Sequence, residues 1–499
     1  MSEANQNIGL SVNLEPFLIG NLLDNFIKNY YRILTMGKLQ SLYDNAPYWA
    51  QSVLLNIYAL GIHRERYGKP FARAFAELHQ TQWYSSEQIH QYQLERLQTL
   101  VKHAYDTVPF YRKRYDEYGV RPDDIKEPSD ISRLPILTRE DVKSAGDELI
   151  SSLYPKSKLI HGHTSGTTGS PLSCYWDKQT CVYNNAVDWR QKRWAGIEYG
   201  QGIAMFMGRT IVPTNKTKPP FWQLDRIHNM LWMSSFHLSE DYLPHYLEKL
   251  SQYRPALIEG YPSTVYILAR YLKKLDKKFP VKAVITSSET LLSTQRTLIE
   301  ERFAAPLFDF YAMAERVAYA GQCAEAHEYH LSFEYAVNEV VDNDGQPVET
   351  GREGYLLGTS LLNYGMPFIR YKTSDVTAIK TGQCSCGRYM PRFTGVTTKD
   401  EDIVITPEGK LISSSVLTNP FKPLDAVQES QIIQEEIDLL RIKIVRRKGY
   451  SESDSEHLIA ALRQRVGLSM RIELEFVENI PRTQAGKYRW VISKIPLPL

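Results

Sequence analysis

Apolar residues return at helical intervals after Ser86. Ile89, Leu94, Leu97, Leu100, Val101 and Ala104 fall on one side of a helix, and Ser85 or Ser86 stands where an N-cap belongs. Residues 1 to about 80 read as short helices with apolar stripes such as Phe17, Leu22 and Phe26, which predict a helical cap or a docking face for a partner or membrane. Further on, Val281–Thr286 reads as a buried strand, Thr290–Phe303 as a helix and Leu307–Tyr311 as another strand. That alternation implies βαβ units and a largely parallel sheet, which binds ligands at the carboxyl ends of its strands. The last hundred residues read as a separate unit. Ile403–Ile405 and Leu411–Ile412 flank Pro407-Glu408-Gly409 as a hairpin, and Leu440–Val445 and Met470–Phe476 read as strands. Between those strands, Asp454–Val466 repeats Leu458, Ile459, Leu462 and Val466 at helical spacing. The polar run Thr397–Asp402 marks the boundary. The expected fold class is α/β: a helical segment 1–85, a large domain 86–398 with mixed or parallel sheets flanked by helices, and a small α/β domain 399–499.

Composition narrows the function classes more than it names one. Apolar residues at 43% and charged residues at 23% describe an ordinary globular chain, and 499 residues are too many for one core. A net charge of +2 gives no field that would draw the chain to nucleic acid. The apolar stretches Pro16–Leu23 and Trp49–Ile62 are too short and interrupted to span a bilayer, and no secretory leader pattern is present, so neither a membrane span nor secretion is expected. Five cysteines, at 174, 181, 323, 384 and 386, argue against a disulfide framework and for a reducing cytoplasm.

The densest chemical signal is His163-Thr164-Ser165-Gly166-Thr167-Thr168-Gly169-Ser170-Pro171. Its glycines let backbone approach a polyphosphate, and its N–H groups and hydroxyls supply donors. It lacks the Gly-Lys-Ser/Thr ending of a Walker A loop. Glu315, in Tyr311-Ala312-Met313-Ala314-Glu315, is a carboxylate placed at a strand end to hold Mg²⁺. Asp375 in Arg370-Tyr371-Lys372-Thr373-Ser374-Asp375 suits ribose hydroxyls. Pro391-Arg392-Phe393 precedes the boundary, and Pro481-Arg482-Thr483-Gln484-Ala485-Gly486-Lys487 puts a lysine in a glycine-containing loop. Ser165-Gly166 lacks the Gly-x-Ser-x-Gly elbow, which argues against a serine hydrolase.

Cys323-x6-His330 and Cys384-x-Cys386-Gly387 supply three thiols and an imidazole, enough for a closed, structural zinc site, with His327 a rival for the fourth position. Cys174 and Cys181 read as core residues. Asp342 to Gly345 reads as a solvated turn.

Taken in order, these segments resemble the adenylate-forming superfamily, and within it the phenylacetate–CoA ligase branch with its CapK-like relatives. The zinc ligands too have counterparts in part of that branch. The resemblance covers roughly Leu94 to the C-terminus. It implies ATP-dependent activation of an aryl or acyl carboxylic acid to an acyl-adenylate with release of pyrophosphate, then transfer to coenzyme A. Carried onto this chain, Thr164, Ser165, Gly166, Thr167, Thr168 and Gly169 would close over the ATP phosphates. Ser288, Glu289 and Thr290 would contact adenine and ribose, and Tyr311 would stack near the adenine. Glu315 would hold Mg²⁺, and Asp375 with Arg392 the ribose. Gly260, Tyr261 and Pro262 would border the acid pocket. Lys487 would stabilise charge at the α-phosphorus on a mobile C-terminal lid.

Three departures stand out. Ser170-Pro171-Leu172 lacks the lysine many relatives carry there, Ala314-Glu315 replaces Thr-Glu, and Ser374-Asp375 replaces Gly-Asp. The hinge is hard to align, with Lys399, Asp400 and Asp402 all candidates. A second reading passes the acyl group to an amine or hydroxyl in polysaccharide or secondary-metabolite synthesis. A third is a nucleotide-binding scaffold, which would have no need of a mobile Lys487. Relatives in this branch often look dimeric, so a homodimer is one expected form. Phe221, Trp222, Trp232, Phe236 and Tyr261 read equally as pocket or core.

Overall fold

The computed structural model describes residues 43–163, 172–213, 215–342, 344–393, 395–396, 403–412, 414–417, 419–421, 423–424, 426–480 and 490–495. The loop Thr164–Gly169, Lys487, the hinge candidates Lys399, Asp400 and Asp402, and the stripe Phe17, Leu22 and Phe26 lie outside these residues.

The described chain opens with helices α1 (Tyr48–Arg66), α2 (Lys69–Thr81), α3 (Ser86–Thr107), α4 (Pro109–Tyr118) and α5 (Arg139–Ala145). In α3 the Ser85 hydroxyl accepts from the Gln88 N–H at 3.3 Å and Gln88 Oε1 accepts from the Ser85 N–H at 2.9 Å, a capping box at the expected start. The periodic residues Leu97, Leu100, Val101 and Ala104 are fully buried. Next come β1 (Ile160–His163) and β2 (Ser173–Trp176), an antiparallel pair with His163 opposite Ser173. The Trp176 ring crosses Gly162 so closely that a Cβ there would lie 2.4 Å from it. Helix α6 (Lys178–Trp194) then crosses the body of the protein.

A ten-stranded sheet follows, in the order β14-β15-β10-β9-β8-β7-β6-β3-β5-β4. Its strands and helices are β3 (Ile203–Phe206), β4 (Trp222–Asp225), β5 (Met230–Met233), α7 (Leu243–Tyr253), β6 (Leu257–Gly260), α8 (Pro262–Lys274), β7 (Ala283–Ser287), α9 (Ser293–Phe303), β8 (Leu307–Ala312), β9 (Tyr319–Gln322) and β10 (Tyr329–Leu331). After the separate antiparallel sheet of β11 (Ala336–Val341), β12 (Gly354–Ser360) and β13 (Tyr371–Thr377) come β14 (Ile379–Lys380) and β15 (Arg392–Phe393). Strands β5, β3, β6, β7 and β8 run parallel, as the βαβ alternation predicts, and β4, β9, β10 and β15 add antiparallel margins.

Period-2 alternation sends neighbouring residues to opposite faces of this sheet. Phe206, Ile258 and Val284 pack with α7, α8 and α9. On the other face Met205, Leu257 and Ile285 meet Trp189 of α6 and Phe71 and Phe75 of α2. Phe221 and Phe236 are fully buried core residues, whereas Trp222 and Trp232 are half-buried.

The C-terminal part holds the hairpin β16 (Val404–Ile405) and β17 (Leu411–Ile412), the short α10 (Ser414–Leu417), then β18 (Val427–Glu436), β19 (Leu439–Arg446), α11 (Glu452–Val466), β20 (Arg471–Phe476) and β21 (Val491–Ser493). The predicted strand, helix and strand are β19, α11 and β20, with β19 and β20 parallel. β18, like α10 and β21, is an element the sequence reading did not name. Its run Gln428-Glu429-Ser430-Gln431 shows no apolar alternation, but its polar side chains are used inside. Ser430 accepts from Trp490 Nε1 at 3.1 Å, and the Gln434 amide accepts from the Ile405 N–H at 3.0 Å. The predicted helix from Thr290 begins three residues later, at Ser293, and the strand from Val281 begins at Ala283. Among the described residues no helix is long and apolar enough to cross a membrane.

Candidate active site

Four chain segments meet beyond the carboxyl ends of the parallel strands, where such a sheet leaves its open crevice. β8 ends with Tyr311 and Ala312, and Glu315 follows in the next turn. β13 delivers Tyr371 and Asp375 from the three-stranded sheet. The Tyr311 hydroxyl donates to the Asp375 carboxylate, and Tyr371 donates to Glu315 Oε1 at 3.3 Å. Arg139, the first residue of α5, stands 3.7 Å from the same Glu315 oxygen.

The position of Arg139 has a local cause. Thr138 caps α5, accepting from the Asp141 N–H at 3.1 Å, and Leu137 bridges to Tyr371 in parallel register. The helix therefore starts beside β13. Sequence reasoning missed Arg139, although Thr138-x-x-Asp141 is a capping signature that marks the start of the helix.

Electrostatics here favour a cation. Burial pushes the Glu315 carboxyl above the ordinary range, Arg139 opposes that, and the neighbouring Asp375 adds to it. Burial and Asp375 together hold the Tyr311 phenol far above its usual range, so it is a neutral donor. Glu315 feels the charge of Asp375 as well as that of Arg139, so a divalent ion bridging to phosphate oxygens would relieve the repulsion between the two acids. Glu315 thus fits a Mg²⁺ ligand.

The hairpin of β1 and β2, which carries the Ser/Thr/Gly loop between its strands, is rooted against this same point. Arg316 lies 4.4 Å above the Trp176 ring and 3.2 Å from Cys181 Sγ of α6. Leu172, Cys174 and Trp176 share a core cluster with Val317 and Tyr371, and Met313 packs on it. Both ends of the loop therefore start from the neighbourhood of Glu315.

Two more predicted segments lie along the crevice. Ser288 emerges from β7 exposed and in left-handed backbone (φ 72°), Glu289 is half-buried, and Thr290 is exposed. Glu289 Oε2 accepts from the Ser263 N–H at 3.0 Å, placing a carboxylate at the N-terminus of α8. This bond ties the loop after β7 to Gly260-Tyr261-Pro262 after β6. Gly260 admits no side chain, since a Cβ would lie 2.7 Å from Phe206 Cβ. Tyr261 packs against the C-terminal core. Arg392 pairs with Glu328 at 2.6 Å, and its other guanidinium nitrogen donates to the Thr381 carbonyl at 3.4 Å.

A second constellation sits at the sheet margin. Cys323 follows β9, His330 lies in β10, and Cys384 and Cys386 occupy the turn between β14 and β15. Their four ligand atoms lie within 4.8 Å of one another, and His327 is not among them. Cys323 and Cys384 sulfurs are 3.9 Å apart, and Cys386 Sγ is 3.6 Å from His330 Nε2. A tetrahedral zinc ion with Zn–S near 2.3 Å and Zn–N near 2.05 Å has edges of about 3.8 and about 3.6 Å, so the donor set fits the ion. Burial pushes the Cys323 thiol up to about 12, with the other two cysteines adding to it. Burial, with Arg388, Arg392 and Arg190 nearby, pushes His330 down to about 3. The turn is anchored by Arg388, whose guanidinium lies 4.6 Å from the Trp83 ring and 4.4 Å from that of Trp194, and donates to Gln82 Oε1 at 3.0 Å.

Known proteins share the fold and part of the sequence. Residues 404–494 match the CapK C-terminal domain. A solved structure of 2-hydroxyisobutyryl-CoA ligase, in the postadenylation state, superposes with a TM-score of 0.53 at 19% identity, covering 83% of this chain and 91% of that one. The chain shares the fold of that ligase. By sequence the chain is 24% identical to Protein CapK of Staphylococcus aureus, over 92% of this chain and all of that protein. It is also 24% identical to phenylacetate-coenzyme A ligase of Thermus thermophilus, over 82% of this chain and 97% of that one. By sequence the chain is thus similar, along most of its length, to CapK and to phenylacetate–coenzyme A ligases.

Proposed function

We propose that this chain is an AMP-forming acid ligase that activates an aryl or acyl carboxylic acid with ATP and passes it to coenzyme A. The observation that carries the reading is the convergence of Tyr311, Glu315 and Asp375 at the carboxyl edge of the sheet, beside the root of the hairpin that bears Thr164–Gly169. In this reading the acid carboxylate attacks the α-phosphorus of ATP and pyrophosphate leaves. The coenzyme A thiol then attacks the acyl carbon and AMP leaves. Thr164, Ser165, Gly166, Thr167, Thr168 and Gly169 hold the β- and γ-phosphates. Asp375 takes the ribose hydroxyls, Arg392 stands near the end of the core, and Ser288, Glu289 and Thr290 border the base. Glu315 would hold Mg²⁺, which screens the phosphate charge. Lys487 stabilises the charge that builds on both sides of the transition state, which is the moment when a fixed cation in a closed site is worth most. Gly260, Tyr261 and Pro262 border the acid.

Residues from about 399 onward form the lid in this scheme, and 1–85 the helical cap. Cys323, His330, Cys384 and Cys386 hold a structural zinc, because four protein ligands leave no open position for water. Reduced thiols at three of those positions suit a cytoplasmic protein. Acceptor choice has a second reading, favoured by the full-length similarity to CapK: the acyl-adenylate passes to a hydroxyl or amine acceptor.

ATP–pyrophosphate exchange over a panel of aryl, fatty and hydroxy acids tests the proposal. Exchange should depend on one acid class and fall at least about 100-fold in Lys487→Ala, with ATP binding retained. Glu315→Gln should lose exchange as well. AMP formation that requires coenzyme A separates the two acceptors. Absence of exchange with every acid, from folded protein that binds ATP, would overturn the ligase reading.

A further inference from the structure

Strand β19, helix α11 and strand β20 form a βαβ unit, with β19 and β20 parallel. Such a unit leaves its open space at the turn after the first strand, beyond the carboxyl ends of both strands. A cavity of about 500 Å³ lies there, and Gln428, Arg446, Arg447, Tyr450 and Glu478 are among the residues that line it. Arg446 ends β19, Arg447 and Tyr450 stand in the turn before α11, and Glu478 follows the end of β20 by two residues. None of these is a residue that meets at Glu315.

Charge distinguishes the two ends of this sheet. At the far end the cations are paired: Arg471 with Glu436 at 2.6 Å and Asp438 at 2.8 Å, and Lys494 with Glu435 at 2.7 Å. At the cavity, Arg446, Arg447 and Lys448 stand in a row, and among the described residues none of the three has an acid within 4 Å. Two of them are nonetheless held in place. The Arg446 guanidinium lies 4.4 Å from the centroid of the Phe476 ring, and the Arg447 N–H donates to the Ala426 carbonyl at 2.8 Å. Part of the ordering cost of binding an anion is therefore met in advance. The α11 N-terminus does not supply the anion site, because Asp454 already accepts from the Ser451 N–H and hydroxyl, both at 2.8 Å. The cavity also has a flat wall. Tyr450 is half-buried, its hydroxyl 3.0 Å from Ser455 Oγ and its ring edge-on to Phe476 at 5.6 Å.

We propose that this cavity is a second nucleotide site, separate from the crevice around Glu315, and that it binds a nucleoside phosphate. Arg446 and Arg447 hold the phosphate through charge-assisted hydrogen bonds, and the planar base stacks on Tyr450. Glu478 and the Gln428 amide offer acceptors for the hydroxyls of the sugar or the amine of the base. A volume of about 500 Å³ falls in the range of small-molecule sites. The phosphate end of a nucleotide-bearing acceptor and a free nucleotide share this chemistry.

The test is calorimetric titration of the full chain with ADP. Wild-type protein should show one site per chain that the double variant Arg446→Gln, Arg447→Gln binds at least about 100-fold more weakly. Binding in the crevice around Glu315 is common to both proteins, so the difference between them isolates this site whether or not the ligase reading holds. Tyr450→Leu, which keeps both arginines, should lower ADP affinity about 10-fold and leave that of inorganic phosphate unchanged. Coenzyme A against dephospho-coenzyme A separates the two sources. A preference of about 10-fold for coenzyme A identifies the 3′-phosphate end of the acceptor, and equal affinity identifies a free nucleotide. Identical ADP titrations for wild type and the double variant, or adenosine bound at this site as tightly as ADP, would overturn the assignment.

Discussion

Asp309 should make the core less stable as pH rises, and its replacement by asparagine should remove that contribution. The residue sits in β8, almost completely buried, with Thr286 donating to Oδ1 at 2.5 Å and Tyr329 to Oδ2 at 2.7 Å. Burial pushes its carboxyl up to about 7, against the two hydroxyl donors and Arg296, with Glu289 adding to the rise. In the unfolded chain the group titrates near 3.9. Between those values the folded protein holds a proton the unfolded chain has released, so stability falls as pH climbs from about 4 to about 7 and then levels. About three pKa units at 1.36 kcal/mol each give an upper figure of about 4 kcal/mol. Asp309→Asn keeps a neutral side chain of the same shape and removes the titration. Denaturation of both proteins followed from pH 5 to pH 8.5 isolates this group from every other, because only the difference between the curves is read. Relative to wild type, the variant should gain up to about 3 kcal/mol between pH 5 and pH 8.5. Curves that stay parallel would refute the reasoning.

Two further outcomes follow from the same structure. The protein as purified should carry one zinc per chain by elemental analysis, and Cys384→Ser or a strong chelator should remove it. If zinc is held at 1,000 times its dissociation constant, loss costs about 4 kcal/mol and, in a chain of 499 residues, lowers the melting temperature by roughly 4 °C. Gly162→Ala should destabilise the β1–β2 hairpin by about 1–3 kcal/mol, since the new methyl meets the Trp176 ring, and a thermal melt reads this directly.

Much of the frame was legible because it depends on local pattern. The capping residues of α3, the βαβ alternation through β7, α9 and β8, and the small unit of β19, α11 and β20 all follow from periodicity. β18 was not legible, because its interior is polar and is satisfied by Trp490 and the β16 backbone, partners distant in sequence. The cysteines and His330 could be grouped from spacing, and the structure brings those four together. Arg139 is different. Its pairing with Glu315 spans 176 positions and depends on a bridge between Leu137 and Tyr371, which no local pattern encodes. The ion pair of Lys192 in α6 with Glu259 in β6, 3.0 Å apart, is hidden for the same reason, since only the fold brings the two elements together.

Arg388 gives the cysteine turn a reach beyond its own ligands. Gln82 and Trp83, which it engages, form the junction between α2 and α3, and Trp194 ends α6. If the four ligands hold zinc as proposed, ion occupancy and docking of the leading helices are linked equilibria, and linkage runs both ways by equal factors. Whatever tightened the grip on the ion would then hold the N-terminal helices in place, and a chain shortened ahead of Ser85 would release it more readily.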